Sequence, residues 1–104
     1  MFNIIPDPTF EAVVDVPVPG KGTLPITLVF KHKSRTDLMD FFDRVSSSGK
    51  TDAEVLSEII VGWKGVSADF TVENLAKLLD NYHGLVKVVF DNYAMQLNEG
   101  KRKN

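Results

Sequence analysis

The sequence predicts an α+β domain in which an N-terminal β-hairpin packs on a bundle of about four α-helices, a single domain over residues 1–104. Apolar side chains recur at every second position across 9–32 and at every third or fourth position across 34–100. Turn and capping residues, rather than a linker, separate these stretches. At 104 residues and 43% hydrophobic content the chain is long enough to bury one core, and it has no cysteine for a disulfide or a thiolate metal site.

The hairpin is expected over residues 9–32. Phe10, Ala12, Val14 and Val16 alternate with Glu11, Val13 and Asp15. Pro17-Val18-Pro19-Gly20-Lys21-Gly22 cannot continue a ladder, and its glycines supply the positive-φ positions of a turn. Leu24, Ile26, Leu28 and Phe30 resume the alternation. Pro25 has no ladder donor and is expected near a strand start or on an edge. Met1–Ile5 is expected to add a short third strand. A hairpin alone is marginal in water, so its apolar face must meet the helices that follow.

From Ser34 the period becomes helical. Leu38, Met39, Phe41, Phe42 and Val45 share a face, with Ser34 or Thr36 as N-cap and Ser46-Ser47-Ser48-Gly49 as terminator. Thr51-Asp52-Ala53-Glu54 reads as a capping box. The helix it opens is expected to run through Val55, Leu56, Ile59 and Ile60 toward Trp63, until Gly62–Val66 breaks it. Thr71 caps a third helix with Val72, Leu75, Leu78 and Leu79 inward. Asn81-Tyr82-His83-Gly84 interrupts, and a fourth helix buries Val86, Val89, Phe90, Tyr93 and Leu97 before ending near Gly100. Residues 101–104 form a basic tail.

The charge pattern argues against nucleic acid as a partner. Residues 1–50 balance six acidic against six basic side chains, and residues 51–100 carry eight acids against three lysines. A nucleic-acid surface needs clustered Lys and Arg to displace counterions, and Lys101, Arg102 and Lys103 are too few. No apolar run reaches the roughly 20 residues that span a bilayer, and MFNIIPDP lacks the basic and apolar regions of a signal peptide. A soluble cytoplasmic protein is expected.

No reactive constellation emerges. His32 and His83 are isolated, and zinc wants three or four ligands. The Ser46–Ser48 run lacks a nucleophile elbow. Gly49-Lys50-Thr51 has Arg44 where a phosphate-binding loop needs its first glycine. The sequence therefore predicts no enzyme, cofactor or metal. Asp37, Asp40 and Asp43 recur every three residues, as a solvated helix face or a docking surface for a basic partner. The candidate partner-binding residues are Trp63, Phe70, Tyr82 and Tyr93, because aromatic residues, Trp above all, anchor interfaces; at helical spacing they also serve as core.

The order W-x-G-V, F-T-x-E-N-L-x-x-L-L-D-N-Y, F-D-N-Y and R-K-N resembles the tail assembly chaperones of long-tailed bacteriophages and prophages. Trp63, Gly65, Val66, Phe70, Thr71, Glu73, Asn74, Leu75, Leu78, Leu79, Tyr82, Phe90, Tyr93, Arg102, Lys103 and Asn104 carry it. His83 stands where the family pattern often has proline. The resemblance implies a non-enzymatic protein that binds the tape measure protein and helps recruit the tail tube protein. It also implies a protein of the bacterial cytoplasm, absent from the mature virion. An open hairpin edge adds self-association to a homo-oligomer as an expectation. The alternative is a small regulatory or adaptor domain that binds another protein through its helical face.

Overall fold

Strands β1 (Thr9–Val18) and β2 (Gly22–Lys31) form the antiparallel hairpin; the computed structural model describes residues 1–100. The register sets Phe10 opposite Phe30, Ala12 opposite Leu28, Val14 opposite Ile26 and Val16 opposite Leu24, which collects the apolar side chains on one face. At the tip, the Lys21 N–H donates to the Val18 carbonyl at 3.0 Å across Pro19 and Gly20, and Gly20 has φ 78°. Pro followed by a positive-φ glycine is the central pair of a type II turn. Pro25 faces Asp15, on a stretch of β2 that has β1 alone beside it, because pairing with the next strand covers only Thr27–Phe30.

The third strand is not the N-terminal segment. It is β3 (Ile60–Lys64), antiparallel to β2, in a sheet of order β1-β2-β3. Residues 1–5 form no strand. The helix expected to continue past Ile59 is also corrected: α2 covers only Asp52–Leu56. Its capping box is present, with the Glu54 N–H on the Thr51 hydroxyl at 3.2 Å and the Thr51 N–H on the Glu54 carboxylate at 3.0 Å. That box nucleates one turn. Beyond it, Ile59, Ile60 and Val61 are β-branched, and the free ladder of β2 outcompetes helix propagation. A bulge near Val29 and Phe30 fits the strand into register.

The remaining helices are α1 (Arg35–Val45), α3 (Val72–Asn81) and α4 (Leu85–Glu99). Ser34 and Thr71 cap α1 and α3 with their hydroxyls. Ser46 and Ser48 donate their hydroxyls to the carbonyls of Asp43 and Val45, so the serine run closes α1 by satisfying its last acceptors. Gly49 has φ 70° but lies three residues past the cap, and the residue at the cap itself, Ser46, is right-handed. Gly84 begins the turn into α4 where a β-carbon would come within 3.2 Å of the Pro17 ring, a close approach that a larger residue would meet only by shifting the hairpin tip by a few tenths of an ångström.

The core joins Ala12, Val14, Val16, Leu28 and Phe30 of the hairpin to Phe41, Leu56, Ile59, Ile60, Leu75, Leu85, Val89 and Tyr93. Four residues expected inside are exposed: Leu24, Met39, Phe42 and Val72. Leu24 lies where β2 runs beyond β3, Met39 and Phe42 on the flank of α1, and Val72 in the first turn of α3. Conversely, Leu85 and Asn92 are buried. The Asn92 amide donates to the Val13 carbonyl on β1 at 3.3 Å, so α4 lends a donor to the backbone of the sheet's first strand.

Arg44 of α1 binds Glu58, between α2 and β3, at 2.8 Å, and Lys50 approaches the same carboxylate at 3.6 Å. The hydrogen bond from Arg44 holds the Glu58 carboxyl below its ordinary value of 4.5. This contribution is fully present above the unfolded value and is lost as pH falls through the depressed folded one. Both side chains meet solvent, so it amounts to less than about 1 kcal/mol. Glu58→Gln should flatten the acid limb of a plot of stability against pH, measured by urea denaturation at pH 3–7. Thr51→Ala, which removes the hydroxyl half of the capping box and leaves the backbone N–H on Glu54, should cost about 1 kcal/mol at neutral pH with an unchanged m-value.

Candidate protein-binding surface

The four candidate aromatic residues occupy three different settings. Trp63 of β3 meets Phe70 edge to face, with ring centroids 5.1 Å apart and planes at 89°. The Trp63 indole N–H donates to the Ala68 carbonyl at 2.7 Å, which folds the Gly65–Phe70 loop back on the strand. The Asn74 amide then donates to the Asp69 carbonyl at 2.8 Å and fastens the loop to α3. Trp63 and Phe70 are both half-buried, each with one side on the core cluster.

Tyr82, also half-buried, lines an apolar cleft of about 330 Å³ with Val16, Val18, Leu24, Pro25, Ile26, Gly65, Val66 and Leu78. The cleft exists because the hairpin projects past the end of β3. Residues of β1 and β2 form one wall, and Leu78 and Tyr82 at the end of α3 form the other. Leu24, 50% exposed, forms its lip. Gly65 and Val66 connect it along the chain to the Trp63–Phe70 unit. The alternation that put Leu24 on the inner face was correct; its exposure follows from the short β3, which sequence periodicity did not reveal.

Tyr93 is elsewhere. It is 1% exposed and forms an aromatic cluster with Phe10 and Phe30. Its hydroxyl donates to the Lys31 carbonyl at 2.7 Å, and burial pushes it up to about 12, so it remains a donor across physiological pH. In this structure Tyr93 belongs to the core and presents no surface.

A second apolar area lies on α1 and α4, where Phe42 stands 6.4 Å from Phe90, with Met39 exposed nearby in sequence on α1. Asp37, Asp40 and Asp43 of α1 are all exposed. His83 is exposed and His32 half-buried. Among the described residues no group of three or more His, Asp or Glu could hold a metal ion, and no helix is long and apolar enough to cross a membrane. The basic tail, with Arg102, Lys103 and Asn104 of the family-like pattern, lies outside the described residues.

The whole chain, residues 1–104, matches the family model described as phage tail assembly chaperone. Neither a curated protein nor a solved structure matches it.

As the sole tryptophan, Trp63 reports on this surface directly. Phe70→Ala removes its edge-to-face partner and should shift its emission to the red with greater iodide quenching. Trp63→Phe keeps an aromatic ring against Phe70 but leaves the Ala68 carbonyl without its donor; denaturant melts should show a loss of about 1 kcal/mol.

Proposed function

The chain belongs to the phage tail assembly chaperone family, and we propose that it binds the tape measure protein in the bacterial cytoplasm during tail assembly. It keeps that protein's long apolar helices from aggregating and helps bring them to the tail tube subunits, then leaves before the virion is complete. The role is one of binding, without catalysis.

The observation that carries this reading is the apolar cleft bounded by Leu24 and Tyr82. An amphipathic helix seats side chains at i, i+3, i+4 and i+7 in such a groove. The half-buried Trp63 and Phe70, joined to the cleft through Gly65 and Val66, extend the contact. The surplus of acidic residues over 51–100 gives this part of the chain a net negative charge, which keeps a loaded complex dispersed. Of the four aromatic candidates, Trp63, Phe70 and Tyr82 are the contact residues, and Tyr93 supports them through the core.

Co-expression with the tape measure protein of the same phage or prophage should move that protein from the pellet to the soluble fraction and yield a complex on size exclusion. Leu24→Asp, at a half-exposed position, should leave the fold intact by circular dichroism and weaken the complex at least tenfold, about 1.4 kcal/mol. Unchanged precipitation of the tape measure protein would overturn the chaperone reading, and undiminished binding by Leu24→Asp would remove the cleft from it.

A further inference from the structure

The segment before β1 is the most apolar exposed part of the molecule. Phe2 and Ile4 are 94% and 93% exposed, and Met1 and Ile5 are exposed with them. Neighbouring large apolar side chains left in water mark a surface with a partner. The sheet meanwhile ends on β3, which has β2 on one side and no strand on the other. No backbone hydrogen bond from Val61 or Trp63 reaches a neighbour on that outer side among the described residues. Val61 is itself 49% exposed on this edge strand. Such an edge is a template for one more strand.

The segment cannot lie along that edge over its full length within its own chain, because Ile5 falls short of it. The His32 N–H donates to the Pro8 carbonyl at 2.9 Å, which pins Pro8 beside the start of β1. From there to a strand position beyond β3 is three inter-strand spacings, about 14 Å. Only Pro6 and Asp7 lie between Pro8 and Ile5, and three residue steps span at most about 11 Å. The same arithmetic keeps Ile4 and Ile5 from the apolar cleft at the hairpin tip, since Val16 lies seven residues up β1 from Thr9, about 24 Å away.

We propose that residues Phe2–Ile5 of one copy add as a strand to the free edge of β3 in a second copy of this chain. Phe2 and Ile4 fall on one face of the added strand, and Asn3 and Ile5 on the other. Pro6 and Pro8, lacking ladder donors, end the pairing before β1. The edge β3 offers and the segment that fills it belong to the same chain type, so the contact is between copies. It does not depend on which tail protein the cleft receives.

Since the chain has no cysteine, engineered thiols report the contact without background. Single variants with cysteine at Phe2, Asn3, Ile4 or Ile5 are each mixed with Val61→Cys and treated with a short bis-maleimide. The expected product is a covalent dimer from at least one mixture. In parallel, light scattering coupled to size exclusion should show the wild-type chain self-associating as concentration rises. A variant lacking residues 1–5 should stay monomeric, at a mass just below the 11.6 kDa of the full chain, with unchanged circular dichroism and its association weakened at least tenfold. A wild-type chain that is monomeric throughout would overturn the proposal. So would a truncated variant that associates as tightly as the wild type, or the absence of a covalent dimer from all four mixtures.

Discussion

The seat of α4 on the hairpin is the contact on which the rest of this fold depends. Phe30 lies 4.9 Å from Tyr93 and 5.5 Å from Phe10, and Phe10 stacks on Tyr93 at 6.1 Å. The Tyr93 hydroxyl then reaches the Lys31 carbonyl at the end of β2. A three-stranded sheet with one apolar face has little stability of its own, and this cluster supplies much of its cover. Its effect extends along α4. Leu85 enters the core at the helix start, Gly84 fits against Pro17, and Tyr82 is set beside the hairpin tip. The cleft has its second wall because Tyr93 holds the helix down fifteen ångströms or so farther along, at about 1.5 Å per residue.

The molecule keeps the apolar surface that stabilises it apart from the apolar surface it leaves open. Phe30, Phe41, Leu56, Leu75 and Tyr93 are fully enclosed, whereas Leu24, Phe42 and Val61 stand at margins where a strand ends early or a helix turns outward. Changing one of the second group removes little buried area, so their presence has no account in stability alone. The acidic residues of α1 are likewise on the solvent side, where they cost nothing in burial and set the sign of the local field. This separation lets a binding surface vary without loosening the fold that presents it.

Much of this was legible in the residue order. The hairpin with its Pro/Gly turn, a first cap at Ser34 or Thr36 (Ser34 in the structure), the Thr71 cap, the capping box at Thr51 and the end of α4 near Gly100 all rest on local rules, and each stands in the structure. What failed depended on distant partners. Ile59 and Ile60 satisfy helical spacing as well as strand pairing, and only the vacant side of β2 decides between them. Tyr93 reads both as part of the inward face of its helix and as a partner contact, and the choice between them rests on Phe10 and Phe30, more than sixty residues earlier. Leu24 reads as core because periodicity shows which face a side chain takes, and it is silent about how far the neighbouring strand extends. The family resemblance, carried mostly by residues 63–93, identified the class without placing the cleft.

The Tyr93 bond to Lys31 spans 62 residues, and the Asn92 bond to Val13 spans 79. During synthesis the hairpin can pair as soon as its two strands clear the ribosome, yet its apolar face stays uncovered until α4 emerges. At roughly 5–20 residues per second that interval lasts several seconds. For that time the nascent chain presents an unroofed sheet. Its own folding is therefore gated by the arrival of α4.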